Sequence, residues 1–197
     1  MPFEFKPMEI PGLVQIRPRV FRDSRGCFFE TYKKSEFVDN GIDYDFVQDN
    51  YSFSTRNVLR GLHYQLPPAA QGKLVSVVKG RAWDVAVDIR RDSSHYLEWK
   101  AVELSEENRT MLFIPPGFAH GFVALTDEVH FFYKCTSQYA QELERGIRWN
   151  DPDIAIQWPV ENPLVSERDA KLPLLKDAEI AASGGPLFEK SGAKTSD

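Results

Sequence analysis

Cysteine is scarce in this chain, with only Cys27 and Cys135 among 197 residues. Two cysteines so far apart are too few for a disulfide framework and lack the paired spacing of a zinc knuckle. Neither lies in a pattern that predicts a catalytic thiol. We therefore expect both thiols to be reduced and to serve packing.

Long apolar runs and long basic runs are also missing. No segment approaches the roughly 18 apolar residues that a membrane span requires, and the N-terminal stretch MPFEFKPMEIPG lacks the basic and apolar regions of a signal peptide. The net charge of -5 comes without a basic run, which argues against a surface that follows nucleic-acid phosphates. These absences predict a cytoplasmic protein that binds neither membranes nor nucleic acids, although a few Arg and Lys side chains would suffice to hold a small anion.

Apolar and aromatic residues are plentiful, at 42% and 13% of the chain. Such a composition is typical of a folded globular protein, and the length suits one domain with a sizeable core. After residue 180 the sequence becomes small and polar, as AASGGPLFEKSGAKTSD. We expect a single domain over residues 1–180, followed at 181–197 by a polar tail whose composition is compatible with partial disorder.

Short segments rich in Val, Ile, Phe and Trp, bounded by turn residues, predict strands through most of the chain. The predicted strands are residues 27–32, 73–78, 81–90, 96–104, 109–115, 120–125 and 129–136. Alternation in DVAVDI (84–89) predicts a strand with one buried face, with hairpin turns at Gly80 and at residues 125–128. Weaker patterns predict short helices at 33–41 and 168–175. Many closely spaced strands indicate an all-β sandwich, barrel or jelly roll, a fold whose mouth commonly holds one ligand.

Two of the four histidines differ from the others in their surroundings. His63 and His120 each adjoin a glycine and lie among polar groups within apolar segments. His95 lies in a polar turn and His130 alternates with Phe131 on a predicted strand, so we expect both to be solvated or hydrogen-bonded. For His63 and His120, a packing role and a chemical role both remain open.

Motif spacing tests whether the two histidines bind a metal. Metal-binding cupins take ligands from a His-x-His motif followed by a Glu, and from a Pro-x-Gly-x-x-His motif. The second motif is present as Pro115, Gly117 and His120, but Gln65 stands where the first would have its second histidine. Two imidazoles without a carboxylate form a poor site for zinc or iron, which take three or four ligands. We therefore expect no metal.

Acid-base chemistry is the alternative for these histidines. An imidazole accepts a proton near neutral pH when a carboxylate orients it. The candidate carboxylates are Asp49, Asp84, Asp88 and Asp169. Lys73, at the start of a predicted strand, is suited to stabilise a developing oxyanion. Tyr133 is suited to transfer a proton on the opposite face of a ligand, although a buried aromatic is the simpler interpretation of this residue alone.

Eight motifs in a fixed order are more specific than any single residue. They are DSRGCFFE (23–30), FVQDNYS (46–52), VLRGLHYQ (58–65), AQGKLV (70–75), PPGFAHGF (115–122), YKCT (133–136), ERGIRWNDP (144–152) and RDAKLPLL (168–175). Together they closely resemble the dTDP-4-dehydrorhamnose 3,5-epimerase family, from about residue 5 to residue 176. The resemblance implies a cupin-like jelly roll that works in the pathway to dTDP-L-rhamnose, a precursor of cell-surface polysaccharides.

The resemblance also implies a role for each matched residue. His63 would be the general base, paired with Asp169, and Tyr133 the general acid on the opposite side of the sugar. Lys73 and His120 would line the sugar site, with Lys73 near the ketone oxygen. The nucleotide contacts implied are Arg25, Glu30, Gln48, Asp49, Asn50, Arg60, Glu144 and Arg168. Family members are homodimers with exchanged N-terminal strands, so the segment from Arg25 to Glu30 would serve the neighbouring site.

The reaction that the resemblance implies suits these residue types. A ketone at C4 of the dTDP-sugar acidifies the protons at C3 and C5, so a base forms an enolate without a cofactor, and reprotonation from the other face inverts the centre. A relative that inverts only one centre remains open. From other classes, a metal-dependent cupin and a non-catalytic sugar-binding jelly roll remain as alternatives.

Overall fold

A computed structural model describes residues 2–181 and confirms the all-β prediction. Within these residues, fourteen strands form two six-stranded sheets and a two-stranded ribbon. The predicted polar tail lies outside the described residues, apart from Ala181. None of the helices in the described part is long and apolar enough to cross a membrane.

The first sheet is antiparallel throughout. In spatial order its strands are β1 (Phe3–Pro7), β2 (Val14–Pro18), β10 (Met111–Ile114), β7 (Lys73–Lys79), β12 (Val129–Cys135) and β5 (Gln48–Ser54). β5 pairs only with β12 among the described strands. Its outer edge is therefore unpaired within residues 2–181.

The second sheet faces the first. In spatial order its strands are β13 (Glu144–Gly146), β6 (Val58–Gln65), β11 (Phe118–Ala124), β8 (Arg81–Asp88) and β9 (Trp99–Ser105), with β14 (Leu164–Val165) parallel to β6. The ribbon consists of β3 (Phe21–Asp23) and β4 (Gly26–Phe28) and is exposed along its length. The turn predicted at Gly80 is present, but it is not a hairpin turn, because β7 and β8 belong to different sheets; the turn at 125–128 likewise connects β11 to β12 in the other sheet. Gly80 has φ +80, and a Cβ there would lie 2.0 Å from the Glu128 carbonyl oxygen.

Helical structure is limited to short pieces. α1 (Lys34–Asp39) confirms the first predicted helix and buries Phe37 against the outer face of the first sheet. α2 (Glu167–Ala170) is a single turn that begins one residue before the predicted helix and ends well before Pro173. Ser166 caps it, because the Ser166 hydroxyl accepts the Asp169 N–H at 3.0 Å. Two 3₁₀ turns are Gln141–Leu143 and Leu175–Asp177.

Three apolar clusters hold the sheets in place. The first lies between the sheets, where Phe122 and Phe131 stack with ring centroids 4.1 Å apart. The second covers the outer face of the second sheet and the third covers the outer face of the first. Both sheets therefore have apolar packing on two faces, as occurs when loops and helices cover a sandwich.

The prediction that DVAVDI is buried on one face only is wrong. Asp84 and Asp88 are both 0% exposed, as are Val85 and Val87 on the other face of β8. Ile154 and its neighbours in the second cluster cover the valines, so the aspartates face the interior. A carboxylate inside the sandwich needs a specific partner, because burial without one is costly.

Other sequence expectations have mixed outcomes. The strand predicted at 27–32 ends at Phe28, and β1, β2 and β5 were not among the predicted strands. Both cysteines are free thiols. Cys135 is buried as expected, whereas Cys27 is exposed on the ribbon, so the packing role predicted for it is wrong within this chain.

Candidate active site

A cavity of about 440 Å³ opens between the two sheets. Its walls come from both sheets and from α2, and they combine charged, amide and aromatic side chains. The lining residues are Gln48, Asn50, Ser52, Arg60, His63, Tyr64, Gln65, Gln71, Lys73, His120, Phe122, Phe131, Tyr133, Tyr139, Glu144, Ser166, Arg168 and Asp169. The stacked Phe122 and Phe131 connect this polar cavity to the apolar core.

His63 and Asp169 form a hydrogen-bonded pair in this cavity. His63 Nε2 lies 2.8 Å from Asp169 Oδ1, and the Gly61 N–H donates to Asp169 Oδ2 at 3.1 Å. Burial alone would raise the pKa of Asp169. The hydrogen bond to His63, the charge of His63 and the hydrogen bond from the Gly61 amide outweigh burial, so the pKa of Asp169 is lowered overall. Asp169 is therefore a carboxylate at neutral pH and orients the imidazole, leaving Nδ1 of His63 toward the cavity.

A close approach of two glycines shapes β6 next to His63. Gly61 has φ +126, and a Cβ there would lie 2.6 Å from the Gly121 Cα on β11. Only glycine fits such a contact with a left-handed backbone. The register between β6 and β11 also shifts beside this contact. As a result Arg60 and His63, three positions apart, both reach the cavity instead of facing opposite sides of the sheet.

A second histidine pair lies next to the first. His120 is opposite His63 in the β11–β6 register, and its Nε2 lies 2.7 Å from Asp84 Oδ2. Of the four candidate carboxylates, Asp169 therefore hydrogen-bonds to His63 and Asp84 to His120. Asp88 instead accepts hydrogen bonds from Arg90.

The remaining histidines agree with their predicted roles. His95 Nδ1 lies 2.8 Å from Glu98 Oε2, and His130 Nδ1 lies 2.7 Å from the Tyr51 hydroxyl. Neither lines the cavity. Both are hydrogen-bonded residues outside the candidate site.

Lys73 and Tyr133 project into the cavity from adjacent strands of the first sheet. Burial lowers the pKa of Lys73, while the nearby Cys135, Asp84 and Glu144 oppose that effect. Burial raises the pKa of the Tyr133 hydroxyl. Tyr133 is therefore a neutral phenol able to donate a proton, and Lys73 is a cation whose charge depends on its neighbours.

Charged and amide groups lie at the mouth of the cavity. Arg60 is oriented by Ser54, whose hydroxyl accepts from Arg60 Nε at 3.0 Å. Arg168 forms an ion pair with Glu144, and the Tyr139 hydroxyl donates to Glu144 Oε2 at 2.6 Å. Burial alone would raise the pKa of Glu144, but the hydrogen bonds from Tyr139 and Arg168 lower it overall. These groups present two guanidinium cations beside an ionised carboxylate.

β5 contributes amides to the same wall. Gln48, Asn50 and Ser52 alternate along its inner face, and Gln48 Nε2 donates to Asn50 Oδ1 at 3.0 Å. Asp49 lies between them on the outer face, where its carboxylate accepts from Lys134 Nζ at 2.7 and 2.9 Å. Asp49 is thus absent from the cavity of its own chain.

Two further predicted contact residues lie away from this cavity. The Arg25 side chain is 88% exposed on the turn of the ribbon, and among the described residues it is paired only with Asp23. Glu30 follows the ribbon and is partly exposed. Neither side chain lines the cavity of this chain.

Sequence reasoning missed several lining residues, among them Tyr139, Ser52 and Gln71. Ser52 is two positions after Asn50 and four after Gln48, and residues spaced by two share one face of a strand. A strand predicted at 48–54 would therefore place Ser52 beside them. Tyr139 lies in a loop without periodicity, and no local signal marks it. As for metals, residues 2–181 contain no cluster of three or more His, Cys, Asp or Glu side chains arranged to hold an ion.

Comparison with known proteins gives consistent matches along the chain. The family model described as dTDP-4-dehydrorhamnose 3,5-epimerase matches residues 7–177. The enzyme of that name from Shigella flexneri is 51% identical over 172 residues, covering 87% of this chain and 95% of the relative. The one from Methanothermobacter thermautotrophicus is 49% identical over 181 residues, covering 90% and 97%.

Solved structures agree in fold as well as in sequence. The crystal structure of dTDP-6-deoxy-D-glucose-3,5-epimerase from Legionella pneumophila Philadelphia 1, in complex with dTDP-4-keto-L-rhamnose, has a TM-score of 0.89 and 41% identity. The match covers 93% of this chain and 100% of that chain.

Proposed function

Since the chain belongs to the dTDP-4-dehydrorhamnose 3,5-epimerase family, we propose that it inverts C3 and C5 of dTDP-4-dehydro-6-deoxy-D-glucose to give dTDP-4-dehydro-L-rhamnose. It is an isomerase of the dTDP-rhamnose pathway with a cupin-like fold. One observation supports the chemistry above all: the His63–Asp169 pair shares a cavity with Tyr133 and Lys73.

Proton removal begins the proposed reaction. His63 takes the proton from C3 or C5 through Nδ1, because its Nε2 is held by Asp169. The carboxylate stabilises the imidazolium that forms. The electron pair left on carbon moves into the C4 carbonyl and gives an enolate, with its negative charge on oxygen.

The enolate oxygen and the returning proton need two further groups. Lys73 stabilises the oxyanion, and because the lysine is buried its fixed charge acts strongly there. Tyr133 protonates the carbon from the face opposite His63, which inverts the centre. Before the next cycle, His63 releases the abstracted proton to solvent and the Tyr133 phenolate takes one up from solvent. Two such cycles, one at each carbon, complete the isomerisation.

The mouth of the cavity suits the dTDP moiety. Arg60 and Arg168 are guanidinium cations that match diphosphate oxygens through charge-assisted hydrogen bonds. Gln48 and Asn50 offer amides to the polar edges of a base or sugar, and Glu144 orders Arg168. The affinity for dTDP is therefore expected to depend on residues distinct from those that move protons.

Incubation with dTDP-4-dehydro-6-deoxy-D-glucose in deuterated water tests the function directly. NMR should show deuterium at both C3 and C5, together with the inverted product. Label at one position alone would instead indicate a single-centre epimerase, and no label with tight binding would indicate a sugar-binding module.

The charge of Lys73 should produce an alkaline limb in the pH profile of kcat. Burial lowers its pKa from the usual 10.5, so the ammonium is complete at lower pH and is lost as pH rises through that lowered value. We expect Lys73→Arg to move the limb to higher pH by about one unit or more, since a guanidinium keeps its proton. Stopped assays of kcat across the alkaline range measure this.

A lysine at the other end of the same strand provides the control. Lys79 is exposed and paired with Glu128, so Lys79→Arg should leave the limb in place. An unshifted limb in Lys73→Arg would assign it to another group, such as Tyr133.

We further propose that the protein acts as a homodimer in which the Arg25–Glu30 segment of one subunit completes the cavity of the other. The ribbon is exposed, with Phe21 and Phe28 at 50% and 67% exposure, and Arg25 has no role in its own cavity. The free edge of β5 and the exposed Tyr51 and Phe53 on its outer face offer an adjoining contact surface. Residues 1–180 would then be one domain per subunit.

Complementation between two impaired variants tests this arrangement. Arg25→Ala should lower kcat/KM by about 10- to 100-fold through loss of a phosphate contact, and His63→Ala should remove the base. In a mixed dimer, one site combines the intact His63 of the Arg25→Ala chain with the intact Arg25 of the His63→Ala chain. The other site lacks both side chains. Purified mixed dimers from differently tagged chains are expected to have about half of the wild-type kcat/KM, one site of two being intact.

Activity no higher than in either parent would show that each chain uses its own Arg25. A single-subunit mass in sedimentation equilibrium would contradict the dimer itself.

A further inference from the structure

Asp84 is a fully buried carboxylate, and among the described residues only one of its two oxygens has a hydrogen-bond partner. It is 0% exposed on β8, and its Oδ2 lies 2.7 Å from His120 Nε2. Its Oδ1 is buried and has no hydrogen-bond partner among the described residues. A buried carboxylate of this kind is costly unless a positive charge compensates it.

Lys73 is the cation placed to compensate Asp84. It extends from the opposite sheet into the cavity that His120 also lines, is 8% exposed, and forms no ion pair with a described residue. Asp84 is one of the groups that oppose the effect of burial on the pKa of Lys73, together with Cys135 on β12 and Glu144 on β13. Asp84 and Lys73 are thus buried groups of opposite charge on facing sheets, and the charge of Asp84 favours the ammonium form of Lys73.

His120 links Asp84 to the cavity. With Nε2 on the carboxylate, the imidazole presents Nδ1 to the space where the sugar would lie. Its surroundings are His63 on β6, Phe131 on β12 and Asp84 on β8. A carboxylate behind an imidazole fixes which nitrogen carries the proton.

We propose that Asp84 is a positioning residue of the epimerase: it keeps the proton of His120 on Nε2 and supplies the buried negative charge that holds Lys73 as an ammonium beneath the ketone. The inference rests on the proposed function. It assigns Asp84 a task distinct from that of Asp169, which serves the base. The enzyme would then use two His–Asp pairs, one for proton transfer and one to arrange charge at the oxyanion.

Asp84→Asn is the test, with Asp88→Asn as a matched control. Both aspartates are 0% exposed on β8, but Asp88 is bonded to Arg90 and Ser93 away from the cavity. We expect Asp84→Asn to lower kcat at neutral pH by about 10- to 100-fold, to change KM by less than about threefold, and to move the alkaline limb to lower pH. Asp88→Asn should keep the wild-type limb even if it unfolds at a lower temperature.

A loss of kcat without movement of the limb would overturn the role of Asp84 toward Lys73. Nitrogen-15 NMR of the imidazoles tests the role toward His120 in the wild-type protein, where only four histidines need assignment. A proton on Nε2 of His120 at neutral pH is expected; a proton on Nδ1 alone would overturn the inference. This measurement needs no substrate and no stable variant. A wild-type protein without turnover would therefore refute the epimerase while leaving the NMR result to be judged by itself.

Discussion

Replacing His63 by asparagine is expected to lower kcat by about 1,000-fold, while the affinity for dTDP changes by less than about threefold. The reason is that His63 is positioned to move a proton, whereas the groups suited to the nucleotide lie at the mouth of the cavity. Asp169 keeps the hydrogen bond from the Gly61 N–H, so the carboxylate is not left without a partner. Stopped assays of product and calorimetric titration with dTDP measure the two quantities separately.

His95→Asn is the control, because His95 is paired with Glu98 outside the cavity. It should leave both quantities near their wild-type values. If His63→Asn weakened dTDP binding as much as turnover, His63 would be a binding residue and not the base.

Replacing Tyr133 by phenylalanine is expected to reduce inversion at C3 and C5 by about 100- to 1,000-fold, while deuterium exchange at these carbons continues. His63 would still remove the proton, and the enolate would be reprotonated from the same face, which exchanges hydrogen without inverting the centre. Burial raises the pKa of the Tyr133 hydroxyl, so it acts as a neutral acid in the native enzyme. NMR in deuterated water compares label and configuration in one sample.

Tyr44→Phe is a suitable control, because Tyr44 packs in the apolar cluster on the outer face of the first sheet. Exchange and inversion should both remain intact there. If Tyr133→Phe abolished exchange together with inversion, Tyr133 would be required for the first proton transfer as well.

Much of the fold and part of the site could be predicted from the sequence, because the strands that build the core have strong local patterns. β7, β8 and β12 are rich in β-branched and aromatic residues, and Gly80 marks a turn that only glycine accommodates. β5 was missed because its inner face carries Gln48, Asn50 and Ser52 where a core strand would have apolar side chains. Functional residues weaken the pattern of the element that holds them.

Pairings over long sequence distances were beyond local reasoning. His63 and Asp169 are 106 positions apart, and four aspartates were equally suited to His63 until family motifs were considered. Alternation in DVAVDI predicts a solvent-facing side for Asp84, because it shows that the two faces of the strand differ but does not show that both are covered. The chain beyond β13, including Ile147 and Ile154, completes the second apolar cluster and covers the face that carries Val85 and Val87.

The two faces of β5 impose a restriction on how this gene can change over evolution. Gln48, Asn50 and Ser52 line the cavity, while Asp49, Tyr51 and Phe53 face outward, so adjacent codons serve opposite sides of one strand. Inserting or deleting one residue here would turn every later side chain of the strand over. Point substitutions can adjust either face independently, but a change in length alters both together. We therefore expect natural variation in residues 48–54 to consist of replacements without gaps.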